Sequence, residues 1–218
     1  MKVIAFGDIH MDCTALDAVK SLDEAGLVII TGDLTHFGGK KEAKEVIDAV
    51  KAKNANILAV PGNLDQPSVG AYLDELGISL HAKGIIIDDT GFFGVGGSNI
   101  TPFNTPIEYT EEEMASLVTE AFKHVKGTRH KIFVSHAPPL DTKTDMLGNG
   151  IHVGSKAIRE FITTHQPDLC LTGHIHESWG VDFIGRTKIL NPGMLRRPGW
   201  IKLNFTANGW EAELNGLT

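Results

Sequence analysis

The order of apolar runs in the first third of the chain constrains the fold most. Residues 3–6, 27–31 and 56–60 are short runs rich in β-branched side chains. Between them, 15–24 and 40–52 carry apolar and polar residues at helical spacing, and 68–76 comes after the third run in the same way. Strand signals alternating with helix signals predict βαβα order, hence a largely parallel sheet with helices packed on it.

The rhythm then changes. Residues 78–80, 84–87 and 92–96 read as short strands with no helix between them. Thr110 with Glu113 has the form of a capping box, so a helix is predicted over 110–124. A strand at 131–135, a helix at 155–165 and a strand at 168–171 come next. The tail reads as strands at 181–184, 187–190, 201–205 and 210–214, punctuated by Gly and Pro. This mixture predicts two sheets packed together with helices outside. The chain has 218 residues, and no repeat or linker interrupts it, so a single domain over 1–218 is expected.

The residues just past the strands carry the chemistry. After 3–6 come Gly7, Asp8, Ile9 and His10. After 27–31 come Gly32 and Asp33, and after 56–60 come Pro61, Gly62 and Asn63. His136 comes after 131–135, and Gly173, His174, Ile175 and His176 come after 168–171. In open α/β sheets ligands bind at the carboxyl ends of strands. If these strands are parallel neighbours, all five ends converge on one edge. Two carboxylates, one amide oxygen and four imidazoles are mixed oxygen and nitrogen donors without a thiolate. That set suits Mn, Fe, Zn, Co or Ni better than calcium or an iron–sulfur cluster. Asp-x-His and His-x-His place two donors on one side of an extended segment, since strand side chains alternate. Each Gly lets the backbone approach the ions closely.

The ordered set Asp8-x-His10, Gly32-Asp33, Gly62-Asn63, His136 and Gly173-His174-x-His176 resembles the calcineurin-like metallophosphoesterase superfamily. Residues 135–139 and 191–193 resemble its small bacterial and archaeal branch of uncharacterised phosphoesterases. The resemblance implies a four-layer α/β/β/α sandwich of two mixed β-sheets flanked by helices. It also implies a dinuclear metal site at the strand C-terminal ends. Asp8, His10 and His176 would then hold one ion, and Asn63, His136 and His174 the other. Asp33 would bridge the two, with a nucleophilic water opposite it. Two divalent ions bring four positive charges, and Asp8 and Asp33 return only two, so the site would attract a phosphate ester.

One position departs from the family. Where most members carry His after the Gly-Asn pair, this chain has Leu64. Leucine cannot protonate a leaving group, and loss of a general acid costs roughly 10²–10⁴ in rate for a poor one. Diesters and activated aryl esters are therefore favoured as substrates. His36, His152 and Asp65 are candidate replacements for the acid, and His36, His152 and Arg196 are candidate substrate contacts beside Asn63. Arg196 and Arg197 also read as solvated turn cations. Residues 98–106, with Phe103 among two prolines, could form a pocket wall. Residues 138–154 form a long patternless loop of the kind that is usually functional.

Composition excludes several classes. The formal net charge of −7 gives no support for a nucleic-acid face. No apolar run approaches the roughly 20 residues that span a bilayer, and the start lacks the form of a signal peptide. Cys13 and Cys170 make no Cys-x-x-Cys pair and no disulfide framework. A cytoplasmic location is expected, with both cysteines as small buried hydrophobes and Cys13 near enough to His10 to feel a metal. His81, His124, His130 and His165 read as surface residues, and Trp179, Trp200 and Trp210 as core or sheet-face residues. A small phosphate ester is the expected partner, and oligomeric state is left open. The alternative is a non-catalytic metal-binding scaffold or protein-interaction module of the same fold. No phosphate-binding Gly-x4-Gly-Lys loop and no zinc-peptidase motif occurs.

Overall fold

The structure, a computed structural model, describes residues 1–216. The single domain expected over 1–218 extends two residues beyond those described. The first strands are β1 (Lys2–Phe6), β2 (Leu27–Ile30) and β3 (Ile57–Ala59). Helix α1 (Lys40–Lys51) joins β2 to β3, and α2 (Pro67–Glu75) comes after β3. Then come β4 (Lys83–Ile87), β5 (Thr90–Val95), β6 (Ser98–Asn99), β7 (Glu108–Tyr109), α3 (Glu111–Lys123) and β8 (His130–Ser135). The rest is α4 (Lys156–His165), β9 (Leu169–Leu171), β10 (Gly180–Ile184), β11 (Thr187–Asn191), β12 (Gly193–Met194), β13 (Arg197–Thr206) and β14 (Gly209–Gly216).

Two six-stranded mixed sheets form. The first runs β12-β13-β1-β2-β3, with β14 also on β13. Within it β1, β2 and β3 are parallel, while β13 is antiparallel to β1 and to β14. The second runs β10-β11-β9-β8-β5-β4, parallel through its centre and antiparallel at both edges.

Strand alternation explains the layers. Val3 and Ala5 face the second sheet, packing with Ile29, Phe92, Val134 and Leu171 in a core between the sheets. Ile4 and Phe6 face the other way, onto Val46, Ile47 and Leu73 of α1 and α2. Phe93, Phe133 and Cys170 of the second sheet meet Val118 of α3 and Phe161 of α4. The result is the expected sandwich: helices, sheet, sheet, helices. Each helix buries one stripe, as Ala43, Val46, Ile47 and Val50 do in α1. The capping box before α3 is formed: Glu113 N–H donates to Thr110 Oγ1 at 3.2 Å, and Thr110 N–H to Glu113 Oε2 at 2.8 Å.

Three expectations need correction. The helix over 15–24 is only a short 3-10 helix, Cys13–Ala18. Ser21 has φ 62°, and that left-handed backbone cannot continue a helix. Residues 78–80 form a single bridge, Ser79 to Ala59, rather than a strand. The five ligand-bearing strands are not neighbours in one sheet. Three belong to the first sheet and two, β8 and β9, to the second. The convergence occurs because the two sheets are stacked with these ends together.

Candidate metal centre

Asp8, His10, Asp33 and His176 bring one donor atom each to within 4.8 Å of one another. His176 Nε2 lies 3.2 Å from Asp8 Oδ1, and 3.0 Å from His10 Nε2. Beside them, Asn63 Oδ1 lies 3.0 Å from His136 Nε2 and 2.9 Å from His174 Nδ1. Asp33 stands between the groups, with Oδ2 at 3.8 Å from His10 Nε2 and 3.6 Å from His136 Nε2. All seven residues singled out as ligands in the sequence are thus gathered in one place.

The backbone that presents them is not extended. Asp8, His10, Asp33 and His174 have φ of 48°, 46°, 47° and 70°. The donors of Asp8-x-His10 and His174-x-His176 therefore meet through left-handed turns, not through strand alternation as expected. The turns are held by backbone bonds. Ile9 and His10 N–H donate to Asp33 O at 2.9 and 3.0 Å, and Asp8 N–H donates to Gly32 O at 3.0 Å. At Gly32 and Gly62 glycine lets the backbone approach the ligand side chains closely. A Cβ on Gly62 would stand 2.0 Å from Asp33 Oδ1, and one on Gly32 2.2 Å from His136 Nδ1.

Outer bonds fix which atoms face inward. His136 donates Nδ1–H to Thr31 O at 2.9 Å, which leaves the Nε2 lone pair for the centre. Asn63 donates Nδ2–H to Thr105 Oγ1 at 2.9 Å, which turns Oδ1 inward. Leu64 N–H donates to Asp33 Oδ1 at 2.9 Å and leaves Oδ2 free. Convergent lone pairs on nitrogen and oxygen, three of them steered from behind at His136, Asn63 and Asp33, fit a divalent transition metal.

Charge obeys the same logic. Burial favours the neutral form of Asp33, yet the His136 and His10 imidazoles and the Leu64 N–H outweigh it and hold the carboxyl at about 2. Burial opposes charge on His136 too, but the Asp33 carboxylate raises it to about 9. Burial, with His136 next to it, lowers His174 to about 4.

The remaining candidates separate. Asp65 is fully buried and accepts from Leu34 N–H, Thr35 N–H, the Thr35 hydroxyl and Gly62 N–H. It ties the Asp33 turn to the Asn63 turn and cannot reach a leaving group. His36 is exposed, its ring edge-on to His10 at 5.8 Å between centroids. His152 is fixed at 2.6 Å from the buried carboxylate of Asp145. Arg196 is exposed and pairs with Asp12 at 3.5 Å, as a surface turn cation does. Its geometry lends no support to a substrate contact. Cys13 packs against the apolar core beneath α1 and is not among the clustered donors. Among the other histidines, His124 and His165 are exposed, but His81 is half-buried and its Nδ1 accepts from Gly96 N–H at 3.0 Å. His130 is half-buried as well, beside Asp168. Trp200 is buried, whereas Trp179 is exposed and precedes β10.

Several residues have roles that the sequence did not signal. Asn191 donates Nδ2–H to Ile175 O at 3.0 Å and Gly173 O at 3.3 Å, holding the His174–His176 turn. Thr105 and Asp145 act from behind the donors and the pocket in the same way. Asp145 was signalled only by its place in the loop after β8, and Thr105 only by its place in the loop between β6 and β7.

Comparison with known proteins agrees with this geometry. A family model described as calcineurin-like phosphoesterase matches residues 1–178. An uncharacterized protein of Methanocaldococcus jannaschii is 40% identical over 197 residues, 88% of each chain. The 3',5'-cyclic adenosine monophosphate phosphodiesterase CpdA of Escherichia coli is 23% identical over 210 residues, 85% of this chain and 72% of that one. A crystal structure from Thermus thermophilus superposes with a TM-score of 0.74 at 20% identity, covering 98% of both chains, which supports the fold alone.

Proposed function

Because the chain belongs to the calcineurin-like phosphoesterases, we propose that it hydrolyses small phosphate esters at a centre of two divalent ions, with diesters or activated esters favoured. The family and the Asp/His cluster together indicate divalent-metal binding. One observation carries the finer reading: Asp33 Oδ2 stands between His10 Nε2 and His136 Nε2, at 3.8 and 3.6 Å. A single carboxylate so placed suits a bridge. Asp8, His10 and His176 would complete one ion's shell, and Asn63, His136 and His174 the other's.

When bound, the ions would supply an acidified water and positive charge at the phosphoryl oxygens. Mn, Fe, Zn, Co and Ni all suit the donor set. The chain's own part is to hold the donors in fixed turns and leave the centre positive. Leu64 offers no proton from its own position, so activated esters need no substitute donor, and an ester with a poor leaving group needs one elsewhere in the site. The E. coli relative is named for a phosphodiester substrate, and that agrees with the diester reading. No helix among the described residues is long and apolar enough to cross a membrane, and a cytoplasmic location remains part of the proposal. The scaffold reading draws only on Leu64. It is disfavoured because an interaction module has no use for seven gathered donors, three of them held in orientation from behind.

The test is a panel of phosphate monoesters and diesters on metal-reconstituted protein. Turnover of bis(4-nitrophenyl) phosphate well above that of an alkyl monoester is the expected result. Bound metal without turnover of any ester would favour the scaffold.

A further inference from the structure

A cavity of about 510 Å³ opens beside the metal centre, with His174 in its wall. Ile100 and Phe103 line one side, Leu147 and Val153 the other, and Ile175 and His152 complete it. The two sides come from separate loops, 98–106 and 138–154, and Asn99 ties them by donating Nδ2–H to Val153 O at 3.2 Å. Ile100 is 64% exposed and Phe103 80%. Their loop is not slack: Glu108 accepts from the Thr101 hydroxyl at 2.6 Å, and from the Thr105 hydroxyl and N–H at 2.7 and 2.8 Å. A braced loop that holds apolar side chains in water beside a polar centre is a built surface for an apolar group.

The single ionisable side chain pointing from the second loop into this wall is equally fixed. His152 Nδ1 stands 2.6 Å from Asp145 Oδ1. Asp145 is fully buried, and the N–H groups of Asp141, Thr142 and Gly154 hold its carboxylate in place. With Nδ1–H committed to Asp145, Nε2 is the atom free to exchange a proton.

We propose that this cavity receives the leaving group of the phosphate ester, an alcohol carrying an apolar aromatic group, and that His152 gives the departing oxygen its proton. The inference rests on the phosphoesterase reading above. In the step, a water oxygen bonds to phosphorus while its proton passes to solvent, and the bond from phosphorus to the leaving oxygen breaks. The electron pair stays on the leaving oxygen, which takes the proton from His152 Nε2. The neutral imidazole then regains a proton from solvent. Asp145 is a positioning residue, and it also favours the charged ring. The carboxylates facing His152 are those of Asp145 and Asp141, and the Asp145 hydrogen bond leads in raising its pKa above the ordinary value. Aromatic alcohols of the benzyl type are poor leaving groups, so the pocket and the donor serve the same substrates.

The test compares metal-reconstituted wild type, His152→Gln and Phe103→Ser on benzyl methyl phosphate and 4-nitrophenyl methyl phosphate. On the benzyl ester, His152→Gln should lose roughly 10²-fold in kcat, and far less on the nitrophenyl ester. Phe103→Ser should raise KM for the benzyl ester while kcat holds. Two readouts do not depend on turnover. NMR titration should place the His152 ring above the ordinary imidazole pKa, and benzyl alcohol should shift the amides of Val153 and Gly154 in wild type but not in Phe103→Ser. Equal losses of His152→Gln on both esters, or no benzyl alcohol shifts, would overturn the inference while leaving the phosphoesterase reading intact. Wild type that binds metal and turns over neither ester would overturn both.

Discussion

Asn63 donates to the hydroxyl of Thr105 at 2.9 Å, and that bond decides which end of its amide faces the metal centre. Thr105 in turn donates to Glu108 Oε1 at 2.7 Å, so the orientation is passed inward from the loop before α3. Thr105→Val keeps the shape and removes the acceptor. If the proposed centre holds two ions, affinity for one of them should fall about 10–100-fold, as loss of an orienting partner typically costs, with the other unaffected. Competition against a chelator of known affinity measures it. Two unchanged affinities would mean that Asn63 is not steered in this way.

His136 raised to about 9 by Asp33 carries a proton at neutral pH in the metal-free chain. An ion must displace it, whereas His174, lowered to about 4, is already neutral. Burial opposes charge on His176, but the Asp8 carboxylate raises it above its ordinary value as well. Metal uptake at about pH 7 should therefore release at least one proton, and affinity should weaken as pH falls. Calorimetry in buffers of different ionisation enthalpy reads the proton count directly. The pair of His136 and Asp33 also affects metal-free stability. The His136 contribution is present below its unfolded pKa and lost as pH rises through about 9. The Asp33 contribution is present above 3.8 and lost as pH falls through about 2.

Asp65 is structural rather than catalytic. Asp65→Ala strands the N–H groups of Leu34, Thr35 and Gly62 and the Thr35 hydroxyl without their acceptor. Burial, with Asp33 nearby, raises the Asp65 carboxyl to about 6, so these donors work against a cost that is already present. The variant should lose about 3 kcal/mol or more in denaturant unfolding of the metal-free protein. A loss under about 1 kcal/mol would show that solvent replaces the carboxylate.

The candidate metal ligands were legible because each lies within a few residues past a strand whose apolar run is short and bounded. The sandwich was legible because the strand rhythm changes after α2. What the sequence hid is long-range. Nothing local to Asp65 says that the N–H groups of Leu34 and Thr35, from another turn, converge on it. Asn191 lies 16 residues from the Ile175 carbonyl it holds. The left-handed backbone at Asp8 and His10 was equally hidden, because residues with an extended pattern on paper are forced into turns by bonds to Asp33 O. The helix read over 15–24 already stops at Ala18, where Val19 turns extended, and the left-handed Ser21 keeps it from resuming.

Metal content per chain, measured by elemental analysis on reconstituted wild type and Asp33→Asn side by side, tests the bridging centre most directly. Wild type should hold about two divalent ions, and Asp33→Asn fewer than about one, because both ions lose a ligand at once. Hydrolysis of bis(4-nitrophenyl) phosphate should be lost in the variant and in chelator-treated wild type. Wild type that holds no metal and keeps full activity in excess chelator would contradict the bridging centre, as would Asp33→Asn that retains both ions.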